Sequence, residues 1–416
     1  MARRRNNDWP MSKEEALAQR EYRQKQREYR KHQQQKREES RELARGPIDL
    51  PFCLLVLLLT AIGLVMLLSA SFPSAYYETK NNDPTYYFVR QGVFAIMGVA
   101  AMFFVGKINY QRFRGVAKPL LFVAIILLCL VIVPGNPFAL TRNNATRWLG
   151  VGDLFTFQPS EIAKVAVVIY FSDSISRKKE RMQTFRFGIL PYLIWMGIIA
   201  FLMMKEPHLS GTLLILGTGA ALMLVGGINW GWVLLAVGGA VGGAWLMMSG
   251  IISYGQSRLA MWRDPFIDPL GEGYQLAQSL ISIGSGGLLG VGLGKSRQKF
   301  LYLPEEHNDF IFAIVCEELG LIGAGIIMLL FAALVLRGYW IALHARDRFG
   351  SLLVVGVTTL LAMQVFLNIA VVTGLLPTTG ISLPFFSYGG TALTIQLAEM
   401  GIVLSVSRQM RPTKAG

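Results

Sequence analysis

The chain has 416 residues, 53% of them hydrophobic and only 16% charged, with a formal net charge of +14 and a mean hydropathy of +0.43. So little charge in a chain of this length argues against a water-soluble enzyme and for a polytopic membrane protein. Cys53, Cys129 and Cys316 show no CxxC spacing, and His32, His208, His307 and His344 lack paired metal-ligand spacing, which argues against disulfides and a structural zinc site.

Residues 1–48 form a polar arm with 14 basic and 8 acidic residues. It is too long and too polar for a signal peptide, so the first span is expected to act as an uncleaved anchor. A disordered arm, or a fraying polar helix, resting on anionic lipid is the simpler reading, and a partner-binding helix is the alternative. Nucleic acid is a poor fit, because the positive excess lies where membrane insertion favours it.

A bilayer core of about 30 Å needs roughly 20 mostly apolar residues per helical span. Ten segments fit, near 50–70, 88–106, 117–134, 161–176, 187–204, 211–227, 230–249, 309–336, 350–374 and 386–406. With the N-terminus inside, the inner segments hold 29 of the 40 Lys and Arg residues, the bias expected of cytoplasmic loops. The expected fold is therefore an all-α polytopic membrane protein of about ten transmembrane helices, N-in and C-in. Its parts are the arm at 1–48, a transmembrane body at 49–408 and a cytoplasmic tail at 409–416.

One segment between spans 7 and 8, residues 250–308, is predicted as a long extracytoplasmic loop, and loops of that length tend to be functional. Its "GVGLGKS" suggests a phosphate loop, but the G-x-x-x-x-G-K-[ST] pattern requires glycine where Leu289 stands, and the site would face away from cytoplasmic ATP. Nucleotide binding is excluded on both grounds. The basic residues of this segment, Arg258, Arg263, Lys295, Arg297 and Lys299, suit a phosphate or a lipid headgroup.

Ionisable groups within spans are costly and mark a cavity, a pathway or a reaction. Those here are Glu161, Lys164, Glu206, Glu317, Glu318 and Glu399. Glu161 and Lys164, three apart, share a helix face and suit either a structural ion pair or a substrate contact. In "YLPEEHNDFIFAIVCEELG", Pro304 is placed to start a helix whose N-terminus Glu305 and Glu306 complement. On such a helix Glu317 lies nearer the face of Asp309 than Glu318 does. Asp309 precedes an apolar run, and a carboxylate at the mouth of an apolar cavity has the raised pKa wanted of a general base. "PTTGISLPFFSYGG", Pro377 to Gly390, reads as a re-entrant or broken-helix element, with Ser387 either structural or a substrate contact.

Three stretches together, "NNATRWLGVGDLFTFQPSEIAK", "GEGYQLAQSLISIGSGGLLGVGLGKSRQKFLYLPEEHNDFIFAIVCEELG" and "TGLLPTTGISLPFFSYGGTA", resemble the SEDS family (shape, elongation, division and sporulation), the FtsW, RodA and SpoVE group. "GLVMLLSAS" and "YYFVRQ" match as well, and the resemblance covers about residues 48–408. It implies a peptidoglycan glycosyltransferase that polymerises lipid II on the outer face of the cytoplasmic membrane. It also implies a class B penicillin-binding protein as transpeptidase partner, beside other divisome membrane proteins. The family's essential aspartate falls on Asp309, and its cavity Glu and Lys fall on Glu161 and Lys164. One departure is "EPHLSGT", where the family's short motif resembles "QPDLGT": His208 replaces the acid and one residue is added.

In the mechanism this implies, Asp309 accepts a hydroxyl proton while Arg258, Arg263 and Lys295 stabilise the departing diphosphate, with room for a divalent cation, Mg2+ or Mn2+. Glu161, Lys164, Glu317 and Ser387 complete the expected cavity. The arm and the short outer loops lean toward the division branch, FtsW, and hence toward the septum. A lipid II flippase and a non-catalytic divisome scaffold are the rival readings.

Overall fold

The computed structural model describes residues 46–410 apart from 80, 134, 143–144, 152–154, 236–237 and 239–255, together with 26 and 28 in the arm. Among the described residues, seven helices are long and apolar enough to cross a membrane. The helices that build the body are α1 (Leu50–Glu78), α2 (Tyr86–Lys107), α3 (Phe113–Ile132), α4 (Pro159–Lys178), α5 (Leu190–Lys205), α6 (Leu209–Val225), α7 (Gln256–Arg263), α8 (Tyr274–Gly286), α9 (Ile311–Leu343), α10 (Arg348–Val372) and α11 (Gly390–Ser407). Two expected spans, α4 and α6, fall outside the seven. The first carries Glu161, Lys164 and Asp173 buried against protein, with Arg177 exposed near its end, and the second has only 17 residues. The span expected at 230–249 lies largely outside the described residues, beyond a helical start at 230–235.

Sequence chemistry explains the helix ends. The Asp49 side chain accepts the Phe52 amide and a proline follows at the first turn, so α1 begins on a capped, pre-set turn. Asp49 also pairs with Arg337 of α9 through two contacts, 3.0 and 2.7 Å. Its backbone amide donates to Ser407 Oγ at 3.3 Å, and Arg408 donates to the Gly46 carbonyl at 2.8 Å. The start of α1 and the end of α11 are thereby tied together. Helices α2 and α11 pack closely because Gly98 and Gly401 leave no side chain between them. A Cβ on Gly401 would lie 2.5 Å from the Met102 carbonyl, the small-residue packing that membrane helices favour. Large apolar side chains such as Ile96, Phe104 and Leu329 remain exposed on the outer faces.

Two findings depart from the expected architecture of helical spans joined by loops. Residues of "ALTRNNATRWLGVGDLFTF" form an antiparallel three-stranded sheet, β1 (Ala139–Arg142), β2 (Ala145–Val151) and β3 (Phe155–Phe157), in the order β1-β2-β3. Ala139 pairs with Leu149 and Leu149 with Phe157. Short runs of Thr, Val, Phe and Trp on either side of an Asn-Asn pair favour strands, a signal too brief to stand out among long apolar spans. The segment expected as a long loop is also largely built: α7 and α8 occupy it, and a glycine-rich stretch then packs onto α9.

That stretch enters α9 at a break. Gly320 has φ 67 and ψ −171, a backbone open essentially only to glycine. On either side of it, Val291 and Gly292 amides donate to the Glu317 and Glu318 carbonyls at 3.0 and 3.1 Å, and the Leu321 and Ile322 amides donate to Gly287 and Leu288 at 2.9 and 3.1 Å. The groups freed by the break are paired by this inserted backbone, the condition under which a membrane-depth helix tolerates interruption.

Candidate functional site

The helix expected from Pro304 does not form. Glu305 is left-handed at φ 56, residues 301–310 run as turns, and α9 begins only at Ile311. Asp309 therefore stands outside the helix that carries Glu317 and Glu318 and shares no helix face with either. Instead the 307–309 backbone is held from outside. Tyr388 N donates to the His307 carbonyl at 2.9 Å and Ser387 Oγ to the Asn308 carbonyl at 2.7 Å. Asn368 Nδ2 of α10 bridges the Asp309 and Ile381 carbonyls at 2.7 and 2.6 Å. The Pro377–Gly390 segment is thus the brace that aims Asp309, and the Ser387 hydroxyl is occupied in that brace, also accepting from Leu383 N at 2.7 Å.

Asp309 projects into a polar cavity of about 1600 Å3 that is also lined by Glu161, Lys164, Arg147, Gln364, Ser387 and Gln396. Burial, with the nearby Glu305 charge, raises its pKa to about 6, against the opposing pull of Arg147 and His307. A side chain at Gly380 would come 3.0 Å from Asp309 Oδ2, so glycine there keeps the carboxylate free. Deeper in the cavity Lys164 Nζ meets Glu161 Oε2 at 2.8 Å, both buried, and buried Glu399 of α11 lies within electrostatic reach of both.

Arg147 was not among the residues singled out by spacing, although it stands inside "NNATRWLG". From β2 it donates to the Glu206 carbonyl at 3.1 Å and to the Pro207 carbonyl, and its charge reaches Asp309. The departure at "EPHLSGT" gains a physical meaning here. His208 is half-buried at the cavity wall, approaches Gln158 Nε2 at 3.2 Å, and has its pKa lowered to about 3 by desolvation and by Arg147 and Lys164. Burial raises Glu206 to about 8, against Arg147, and both its carboxyl oxygens are buried without a hydrogen-bond partner among the described residues. Desolvation thus biases both side chains of this motif toward their neutral forms.

Several expected site residues lie elsewhere. Glu317 is 2% exposed and does not line the cavity. Its carboxylate accepts from Ser282 Oγ at 3.1 Å, from Ser296 Oγ and from the Arg297 amide at 2.9 Å, so it is used up in anchoring the glycine-rich stretch. Neighbouring Glu318 pairs with Lys299 at 3.0 Å and accepts from Ser69 Oγ at 2.7 Å, which removes Lys299 from any phosphate or headgroup role. Glu306 is likewise buried, on Ser74 Oγ, rather than at a helix N-terminus facing solvent. Arg263 and Lys295 are exposed and off the cavity lining. Arg258 lies on α7, with its side chain outside the described residues.

A helical membrane body with a polar, acid-bearing cavity braced by a broken-helix segment defines a class, and comparison with known proteins narrows it. The profile of the FtsW/RodA/SpoVE family, described as "cell cycle protein", matches residues 50–412, and the chain belongs to that family. It is 44% identical over 367 residues to stage V sporulation protein E of Bacillus subtilis, covering 87% of this chain and 98% of that protein. It is 39% identical over 365 residues to the probable peptidoglycan glycosyltransferase FtsW of Geobacter metallireducens, covering 88% and 96%. Among solved structures, the fold is similar to a chain from a study of how a peptidoglycan synthase complex coordinates polymerization and crosslinking, with a TM-score of 0.71, 26% identity and coverage of 87% and 98%. It is also similar to the rod shape determining protein RodA of Thermus thermophilus, with a TM-score of 0.63, 26% identity and coverage of 88% and 99%.

Proposed function

We propose that this chain is a peptidoglycan glycosyltransferase that polymerises lipid II on the outer face of the cytoplasmic membrane during cell division. The observation that carries the reading is Asp309, a carboxylate with a pKa raised to about 6 in a polar cavity of about 1600 Å3. An acceptor hydroxyl bonds to C1 of the donor sugar while the C1–O bond to diphosphate breaks. The hydroxyl proton passes to Asp309, and the bonding pair leaves with the diphosphate. Direct displacement inverts the donor's α-linkage to β. Arg90 and Arg147, with Lys164 paired to Glu161, bring positive charge to the cavity, the role expected of Arg258, Arg263 and Lys295. Among the described residues no group of three acids, histidines or cysteines could hold a metal. Mg2+ or Mn2+ fits only as a companion of the diphosphate, since such ions keep water and take one or two carboxylates, and Glu305, which lines the cavity with Asp309, is the carboxylate that would hold it while Asp309 serves as the base. It would neutralise charge on the leaving group.

In this reading the chain spans the membrane ten times with both ends cytoplasmic, and the diphosphate stays at the bilayer surface while the sugar projects outward. A class B penicillin-binding protein is its crosslinking partner, with other divisome membrane proteins at the septum. The test is purified protein with lipid II. Wild type should make glycan, and Asp309→Asn, of equal size, should insert normally and make none. Near-normal polymerisation by that variant overturns the assignment of the base, and absence of glycan from wild type favours a flippase or a scaffold.

A further inference from the structure

The turn between α9 and α10 lies far from the cavity that holds Asp309. Asp309 precedes the start of α9, and its carbonyl is held by Asn368 near the end of α10, whereas the turn joins the opposite ends of those two helices. From Leu321 to Leu343 α9 rises about 34 Å, close to the hydrocarbon thickness of a bilayer. The turn therefore stands at headgroup level on the other membrane face. A second cavity, of about 310 Å3, opens there, lined by Arg346, Arg348 and Ser351 and by Val225, Leu343 and Leu352.

Asp347 is the one acid in that lining, and its carboxylate is already engaged. It accepts from Tyr110 Oη at 2.7 Å, Gln111 Nε2 at 3.0 Å, Arg114 Nη2 at 3.1 Å and the Gly350 amide at 3.0 Å. Two arginines thus face one carboxylate that has a third arginine, Arg114, of its own. Arg348 Nη2 donates to the Gly226 carbonyl at the end of α6 at 2.6 Å, a contact that orients the guanidinium and uses one of its several N–H donors. The rest of the wall is apolar. Val225 and Leu343 are 55% and 82% exposed, and Leu343 continues a row of exposed side chains, Ile322, Leu329 and Leu336, on one face of α9.

A free phosphate would use the arginines alone. A phospholipid uses the arginines for its phosphate and the apolar row for an acyl chain, and basic pockets between helix ends suit anionic headgroups. We propose that this pocket binds an anionic phospholipid of the leaflet opposite Asp309: Arg346 and Arg348 hold the phosphate oxygens, Ser351 donates to the headgroup, and one acyl chain runs along Leu343, Leu336 and Leu329. The site is separate from the reaction at Asp309 and does not depend on it.

The test places the full chain in phosphatidylcholine nanodiscs doped with a phosphatidylglycerol analogue that carries a photoactivatable diazirine at the top of one acyl chain. Crosslinks mapped by peptide mass spectrometry should fall on residues 336–352, be competed away by unmodified phosphatidylglycerol and persist under the same amount of added phosphatidylcholine. The double variant Arg346→Gln/Arg348→Gln should need roughly tenfold more phosphatidylglycerol for the same competition, the scale of lost hydrogen bonds to a charged group. Lys107→Gln, at an exposed basic residue closing α2 on the same membrane face, should leave competition unchanged. No competed crosslink at 336–352, or an equal loss in Lys107→Gln, overturns the proposal. Soluble glycerol phosphate that competes as well as the lipid overturns the lipid as occupant. If the double variant does not fold, the wild-type crosslink map still decides, and Leu343→Asn, at a side chain too exposed to hold the fold, should weaken competition by the lipid; unchanged competition there counts against the acyl-chain row and overturns the proposal.

Discussion

Replacing Lys299 with methionine isolates the buried ion pair that fastens the glycine-rich stretch to α9. Lys299 and Glu318 are 3% and 1% exposed and meet at 3.0 Å, so the substitution leaves a carboxylate enclosed without its cation. Glu318 keeps Ser69 Oγ at 2.7 Å and the Ser296 amide at 3.2 Å, which hold part of the charge in place. Removing one partner of a buried pair costs about 3–5 kcal/mol, and the two surviving donors put the expected loss near the lower end, about 3 kcal/mol. The double variant Lys299→Met/Glu318→Leu removes both charges and should recover most of that loss, because replacing a buried pair with apolar groups is often neutral. Equilibrium unfolding in mixed micelles by SDS titration, run on the full double-mutant cycle, measures both values. A single variant within about 0.5 kcal/mol of wild type, the ordinary range of surface substitutions, would refute the argument that this pair is enclosed and coupled.

Further outcomes follow from the same geometry. Gly320→Ala places a Cβ 2.3 Å from Gly290 N in a backbone region costing about 1–3 kcal/mol for other residues; thermal unfolding should show a large loss, and wild-type stability would contradict the break in α9. Glu206 has its folded pKa raised to about 8 from 4.5, so the native state holds a proton that the unfolded chain has lost. Stability should fall as pH rises from about 4.5 to about 8 and then level off, and Glu206→Gln should flatten that part of the curve in a pH series of unfolding measurements. Polymerisation should rise with pH through about 6 as Asp309 ionises, since its burial and Glu305 raise it from 3.8. A rate already at its plateau at pH 5 would argue against Asp309 as the base.

Hydropathy and charge bias were enough to read a polytopic membrane protein, because a lipid environment demands long apolar helices whatever they pack against. Asp309, Glu161 and Lys164 were legible for a related reason: ionisable residues beside or within apolar runs are rare and costly, so each stands out in one dimension. The small sheet was not legible, since three short strands leave little periodic signal. Nor was the fate of Glu317, Glu318 and Lys299. An acid in a span announces a need for partners, but Ser296 reaches both glutamates from the 287–299 backbone that packs onto α9 at its break, while Ser282 and Ser69 reach them from α8 and α1. Arg147 joined the cavity through β2, and His307 acquired its orientation from Tyr87, Glu306 and Tyr388. Sequence by itself determined the solvent the chain lives in and the acid most in need of explanation. The tertiary structure decided which charges are spent on holding backbone and which face the cavity, because pairing between distant segments depends on where helices stop, not on spacing along the chain.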